Sequence, residues 1–335
     1  MRVLTLSNAD IHASLSPAAC EQAMAAALAA RARGDAFNPL RTVTAPPGAE
    51  GFMGLMPAYA SPAAHAGGED EGAAGAAFGL KVVCIIRANP GRGLDAHQGT
   101  VQLYDGETGM PTAILNASAI TEIRTAAVTA VATRALARES SRVLCVLGAG
   151  VQARSHLLAL AEVRPWDEVR VYAPTAAHAQ ALRDTRSDIV VATSAREAVE
   201  GADVVVVATS AKRPVLEQAW LGPGVHVNAV GASSPTSWEI EPATVAAAAL
   251  FCDSRQSVLH EAGEFKLAVE EGLIDGEDHI RAELGEVVSG AHPGRGSDDE
   301  LTLFRSLGIG VEDLAAAQVA VQNARRAGLG TEVEL

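Results

Sequence analysis

The stretch that most limits how this chain can fold is Arg142 to Arg154, RVLCVLGAGVQAR. Its opening run, Val143, Leu144, Cys145, Val146 and Leu147, is too apolar for a strand with one wet face. It reads as a central strand of a parallel sheet covered on both sides. Gly148-Ala149-Gly150 follows at once, and Val151 to Glu162 has the composition of a helix. Strand, glycine turn and helix N-terminus in that order form a cradle for a dinucleotide pyrophosphate. Gly148 permits the tight turn and Gly150 lets the backbone approach the phosphates, while the first helical residues, Val151 and Gln152, present N–H groups to the anion. Ala153 fills the third glycine position, which needs only a small side chain for helix–strand packing. The bland alternative is a plain glycine turn between packed elements.

Beyond this turn, strand-like and helix-like segments alternate. Val169 to Tyr172, Asp188 to Val191, Ala202 to Thr209, Val225 to Val230 and Leu250 to Asp253 are the strands. Such a succession makes an α/β domain, a Rossmann-type, doubly wound parallel sheet. Ligands of these sheets bind beyond the carboxyl ends of the strands, which makes Thr209, Gly231 and Ser233 candidates. A serine in a turn is as readily a simple cap. The second strand ends in Tyr172-Ala173-Pro174-Thr175, with no acid to bond the ribose hydroxyls of NAD. That favours NADP over NAD, with Thr175 as a phosphate contact, although no arginine stands there to receive the phosphate.

The first part of the chain reads differently. A short strand from Met1 to Leu6 precedes an alanine-rich helix, Ala18 to Arg33, opened by Ser16-Pro17 and closed by Gly34. An extended segment around Arg41 and strands at Gly51 to Tyr59, Leu80 to Ile86, Gly99 to Tyr104 and Pro111 to Leu115 follow. Ser61 to Ala77, rich in Ala and Gly with an acidic cluster, reads as a mobile surface loop. A long helix from Ile120 to Arg138 leads to the glycine turn, and an amphipathic helix from Val311 to Ala327 is expected to return to this α+β part. The expected division is residues 1–122 with 311–335 as one domain and 123–310 as the other.

Lys81 is the most telling residue, because an ammonium among Leu, Val and Ile costs several kcal/mol unless it is paired. It is either an edge lysine facing water or a cation held in a dry pocket for an anionic substrate, with a lowered pKa that lets it donate a proton. Arg124, in a helix of Ala, Val, Thr and Ile, poses the same choice. With Arg41, these cations suit a small carboxylate, which arginine grips through two parallel hydrogen bonds. His226 and His156 read as core histidines, and the remaining histidines share no metal-ligand spacing, so no metal site is expected.

A net charge of -14 and the lack of any Lys/Arg run argue against nucleic acid or anionic membranes as partners. The four cysteines are widely separated, which points to core thiols in a reducing compartment. The N-terminus lacks a signal-peptide layout and no apolar stretch reaches membrane-spanning length, so the expected location is cytoplasmic.

With these residues assembled, the chain resembles the ornithine cyclodeaminase/mu-crystallin family. The likeness is carried by GLMPAY (Gly54 to Tyr59), LKVV (Leu80 to Val83), DGETGMPTA (Asp105 to Ala113) and RTAAVTAVAT (Arg124 to Thr133). VLGAGVQA (Val146 to Ala153), NAVGAS (Asn228 to Ser233), ELGEV (Glu283 to Val287) and FRSLGIGVEDLAA (Phe304 to Ala316) complete it. The resemblance implies a substrate-binding and dimerisation domain completed by the C-terminal helix, an NAD(P)-binding Rossmann domain, and a homodimer. It puts the family's carboxylate-binding cations on Arg41, Lys81 and Arg124. Cyclodeaminases carry a glutamate where this chain has Gly54 and a catalytic aspartate where it has Ser233. The Gly-Ala-Ser turn and MPAY segment are closer to the mu-crystallin and ketimine reductase branch, where the lysine and serine bind substrate and manage its proton. The expected activity is NAD(P)H-dependent reduction of a small 2-imino acid such as pyrroline-2-carboxylate. The alternatives are a cyclodeaminase that recycles NAD and a non-catalytic NADPH-binding protein.

Overall fold

Val204 to Val207 have no measurable exposure, and neither do Cys145 and Val146 beside them, which fits strands buried on both faces. A computed structural model describes residues 2–65, 75–86 and 88–335. Residues 66–74, the middle of the stretch read as a mobile loop, lie outside the described residues; on either side are a short helical turn, Pro62–His65, and the strand Ala77–Ile86. The chain forms two compact units, Met1–Arg124 with Ile309–Leu335, and Thr125–Gly308.

The second unit is built on eight parallel strands. Their order is Val190–Val191, Glu168–Tyr172, Val143–Leu147, Val204–Val207, His226–Ala229, Thr302–Arg305, Ala249–Cys252 and Ile280–Glu283. The chain moves outward in one direction from Val143–Leu147 and then returns to start Val204–Val207 on its other side. That reversal is a topological switch point, and sheets of this kind receive ligands at the carboxyl ends of the strands beside it. Two strands depart from the sequence reading. Thr302–Arg305 is fully buried between His226–Ala229 and Ala249–Cys252, and Ile280–Glu283 closes the edge. The expected strand at Asp188 to Val191 shortens to a two-residue pairing at Val190–Val191.

The first unit holds a mixed sheet in the order Thr331–Glu334, Arg2–Leu6, Pro111–Asn116, His97–Asp105, Ala77–Ile86, Gly51–Ala60 and Ala36–Phe37. Thr42–Thr44 also pairs with Gly51–Ala60, and among the described residues only Arg2–Leu6 with Pro111–Asn116 is parallel. Helix Pro17–Arg33 starts where the Ser16 hydroxyl accepts a bond from the Ala19 N–H at 3.2 Å, and it stops at Gly34, whose φ of 84° is left-handed. A further helix, Asn8–Ser14, carries a capping box between Ser7 and Asp10 that the sequence reading passed over. Helix Gly310–Ala327 packs on Gly51–Ala60, Ala77–Ile86 and helix Pro17–Arg33. The long helix Ala117–Leu136 begins in the first unit and ends in the second.

Candidate active site

Along Ala77–Ile86 the side chains alternate. Ala77, Gly79, Lys81 and Val83 are buried, while Phe78 is exposed and Leu80, Val82 and Cys84 are half-buried. Lys81 therefore faces the helices, at 3% exposure, in a strand flanked on both sides by partners. The reading of an edge lysine facing water does not hold. Its ammonium donates to Asp313 Oδ1 at 2.9 Å. Arg124, also buried, donates from Nε to the same oxygen at 3.1 Å and from Nη1 to Glu312 Oε2 at 2.9 Å.

Both acids lie in the first turn of Gly310–Ala327, where the helix dipole favours negative charge. Two glycines let that turn sit against the sheet. A Cβ on Gly310 would lie 2.7 Å from the Pro57 carbonyl oxygen, and one on Gly79 would meet Leu314 at 3.0 Å. The sequence reading found Lys81 and Arg124 but missed Asp313 and Glu312. Their signal was present: two adjacent acids between Val311 and Leu314, on a helix whose near half is otherwise apolar.

Burial pushes the Lys81 pKa down to about 8; Asp313 pulls it back up, and Arg124 and Arg41 push it further down. For Asp313, burial favours the neutral acid, yet Lys81 and Arg124 outweigh it and hold the carboxyl below its usual range. His97, on a strand beside Lys81, is held below its ordinary value by desolvation first and then by Lys81 and Arg124. Cys20, on helix Pro17–Arg33, has its thiol pushed up to about 12 by burial, with Arg124, Glu312 and Asp313 close enough to act on it. Lys81, Arg124 and Arg41 thus share one electrostatic neighbourhood.

In the second unit the glycine turn takes the expected form. Gly148 has φ 121°, and a Cβ there would lie 2.3 Å from the Ala208 carbonyl oxygen, so only glycine fits. Gly150 caps helix Val151–Ala161 with no side-chain hydrogen bond, and a Cβ on it would meet open space. Val151 is 54% exposed at the head of that helix, and its turn offers backbone donors to an anion. Thr175 is exposed at the N-cap of Ala176–Ala181, directly after the second strand.

The strand ends at Thr209 and Gly231 are tied together by a residue the sequence did not signal. Glu239, buried, accepts from the Thr209 N–H at 2.9 Å, the Thr209 hydroxyl at 3.0 Å and the Ala232 N–H at 2.6 Å. A Cβ on Gly231 would strike Thr209 and the Glu239 carboxylate. Arg305, itself paired with Glu264, donates to the carbonyls of Ala229, Ala232 and Ser306. The Ala232 peptide is thus gripped on both sides, and exposed Ser233 follows it.

His226 bonds to Thr302 and Asn228, and His156 to Thr129 and the Gln152 carbonyl, so both stay in the core. Burial pushes them down to about 3 and about 4. Among the described residues no group of three or more His, Cys, Asp or Glu is placed to hold a metal ion.

An uncapped helix head, a glycine-only turn and a braced pair of strand ends suit a dinucleotide, and these features define a two-unit α/β protein of the nucleotide-dependent oxidoreductase type. The chain belongs to the ornithine cyclodeaminase/mu-crystallin family, whose model matches residues 2–328. It is 40% identical over 287 residues to the mouse (Mus musculus) ketimine reductase mu-crystallin, covering 85% of each chain. Among solved structures it is similar to the Thermococcus litoralis Δ1-pyrroline-2-carboxylate reductase in complex with NADH and L-proline. That likeness has a TM-score of 0.92 at 35% identity, over 99% of this chain and 100% of the other. An archaeal alanine dehydrogenase dimer with bound NAD matches with a TM-score of 0.89 at 30% identity, over 100% of both chains.

Proposed function

We propose that the protein reduces small 2-imino acids, cyclic ketimines such as Δ1-pyrroline-2-carboxylate foremost, to the corresponding amino acids with NADH or NADPH. The observation that carries this reading is the buried Lys81 ammonium, set beside the buried Arg124 guanidinium and within electrostatic reach of Arg41. Asp313 and, through Arg124, Glu312 are their counter-charges. Burial removes the screening that water would give, so each of these cations acts strongly on an anionic group brought beside it. The substrate carboxylate is that group, held by Arg41 and Arg124 with Lys81 at the nitrogen.

Dihydronicotinamide, when bound by Gly148, Gly150, Val151, Gln152, Thr209 and Gly231, supplies a hydride. The chain's own residues do the rest. An ammonium with a pKa of about 8 is still mostly charged at pH 7, yet it releases a proton far more readily than an ordinary lysine. Lys81 therefore protonates the imine nitrogen, and a protonated imine accepts hydride far better than a neutral one. Ser233, next to the braced Ala232 peptide, holds water or substrate. The first unit is the substrate-binding and dimerisation domain and the second the NAD(P)-binding domain. The absence of an acid at Tyr172 to Thr175 favours NADPH. Four free thiols suit the cytoplasm.

The partner is a second copy of the chain. Met53 and Phe78, 41% and 47% exposed, lie with Leu55, Tyr59, Leu80 and Val82 on the face of the first sheet opposite helix Gly310–Ala327. This apolar face is what the homodimer covers, in keeping with the dimeric alanine dehydrogenase relative.

The test mixes the protein with NADH or NADPH and a panel of cyclic ketimines and follows loss of nicotinamide absorbance. Silence across the panel overturns the reading. Lys81→Ala is expected to lower turnover by about 10²- to 10⁴-fold with cofactor binding intact. Full activity in that variant removes the lysine from the chemistry.

A further inference from the structure

We infer that Asp313 is the positioning residue that keeps the Lys81 ammonium charged and fixes its direction, so that the helix near the chain's C-terminal end sets the pH range of the reaction. This rests on the reading of Lys81 as proton donor given above. The geometry is specific. Asp313 Oδ1 accepts from Lys81 at 2.9 Å and from Arg124 at 3.1 Å, so one oxygen holds both cations. Arg124 is anchored a second time on Glu312, and the helix turn bearing both acids is seated by Gly310 on the Pro57 carbonyl. Donor and acceptor thus stand on a sheet strand and a helix, elements that hold a geometry better than loops do.

The groups around Lys81 divide plainly by sign. Arg124, from helix Ala117–Leu136, and Arg41, from the extended segment before Thr42–Thr44, favour loss of its proton. His97, from the adjacent strand, senses Lys81 and is itself held neutral-leaning. Cys20, from helix Pro17–Arg33, is a protonated thiol, and Glu312 is turned to Arg124. Asp313 is the acid that acts directly on Lys81 and opposes both burial and the guanidinium groups. A buried lysine without such a counter-ion is neutral near pH 7 and has no proton to give. Each turnover breaks one Nζ–H bond of Lys81 and forms one N–H bond on the imine; the neutral amine regains its proton from solvent water. The electron pair that reduces the carbon arrives with the hydride of the reduced nicotinamide.

The chain has only three lysines, Lys81, Lys212 and Lys266, so labelling with lysine carrying ¹³C at the ε position gives three signals. The Lys81 signal is the one missing from Lys81→Arg. In Asp313→Asn its titration midpoint is expected to fall by at least about one unit, with Lys212 and Lys266 unmoved. The rate–pH profile moves acidward by the same amount, with a loss of at least about fivefold at pH 8, while NADH binding is unchanged. Asp313→Glu restores part of the shift. A folded Asp313→Asn with an unmoved or raised Lys81 midpoint, or an unmoved profile, overturns the proposal; a merely structural ion pair moves the midpoint and leaves the profile in place. If Asp313→Asn does not fold, the native titration decides: a Lys81 midpoint below 7 overturns the proposal and one above 7 supports it. If the native chain reduces no imine, the functional reading fails, and the titrations still settle what Asp313 does to Lys81.

Discussion

Glu239 shows how a single buried carboxylate can hold two loops in register. Burial pushes its pKa up to about 7, while Arg305 and the three donors from Thr209 and Ala232 pull it down. A glutamine in its place accepts through one atom only and turns an amide NH₂ toward a backbone N–H. An unsatisfied buried donor costs about 1–3 kcal/mol, so Glu239→Gln is expected to weaken cofactor binding about tenfold. Fluorescence titration with NADPH checks this, and unchanged affinity would separate the carboxylate from the nucleotide site. At this scale the sequence was legible where charge broke an apolar run, as at Lys81 and Arg124. It was not legible where the partner was an acid in polar company. Glu239 stands in Ser237-Trp238-Glu239-Ile240-Glu241, and nothing local distinguishes it from half-buried Glu241, which accepts from the Gln218 N–H instead.

Among the elements, helix Gly310–Ala327 depends on close approach at its first turn. Any side chain at Gly310 meets the carbonyls of Pro57 at 2.7 Å and Met56 at 3.2 Å. Gly310→Val must lift the turn that carries Glu312 and Asp313. The expected cost is about 1–3 kcal/mol of stability, with turnover reduced and NADPH affinity kept. Parallel denaturation, kinetic and binding measurements check the three together, and a variant with native turnover would show that the turn tolerates the shift. The helix itself was readable from its apolar spacing. Thr302–Arg305 was not, because four residues between Asp298-Asp299-Glu300 and a glycine-bearing turn offer no period, and its buried arginine looks solvent-bound until Glu264 is seen beside it. Asn8–Ser14 was missed for its seven residues, although Ser7 and Asp10 announce it.

For the whole molecule, acid and assembly give two outcomes. His156 and His226 bind protons poorly when folded, at about 4 and about 3, so the unfolded chain takes up more protons as pH falls from 6.5. Each then loses about 3 kcal/mol by pH 4, while Glu239, raised to about 7, returns about 3 kcal/mol over pH 7 to 4.5. The second unit is therefore expected to lose about 3 kcal/mol from these three groups between pH 7 and pH 4, read as a falling melting temperature, and His226→Asn should flatten that slope. For assembly, light scattering should give twice 34.4 kDa for the native chain, and Phe78→Asp should give the single mass. A dimeric Phe78→Asp would move the interface elsewhere.

The first unit is discontinuous: Ile309–Leu335 completes it after the whole of Thr125–Gly308 has been made. On the ribosome, Lys81 and Arg124 emerge long before the acids that neutralise them, and Arg2–Leu6 waits for Thr331–Glu334. The nucleotide unit can form first, and the amino-terminal segment stays incomplete until translation reaches its closing helix. A chain lacking residues 309–335 would keep its glycine turn and leave two buried cations, Lys81 and Arg124, without the carboxylates that Asp313 and Glu312 bring to them.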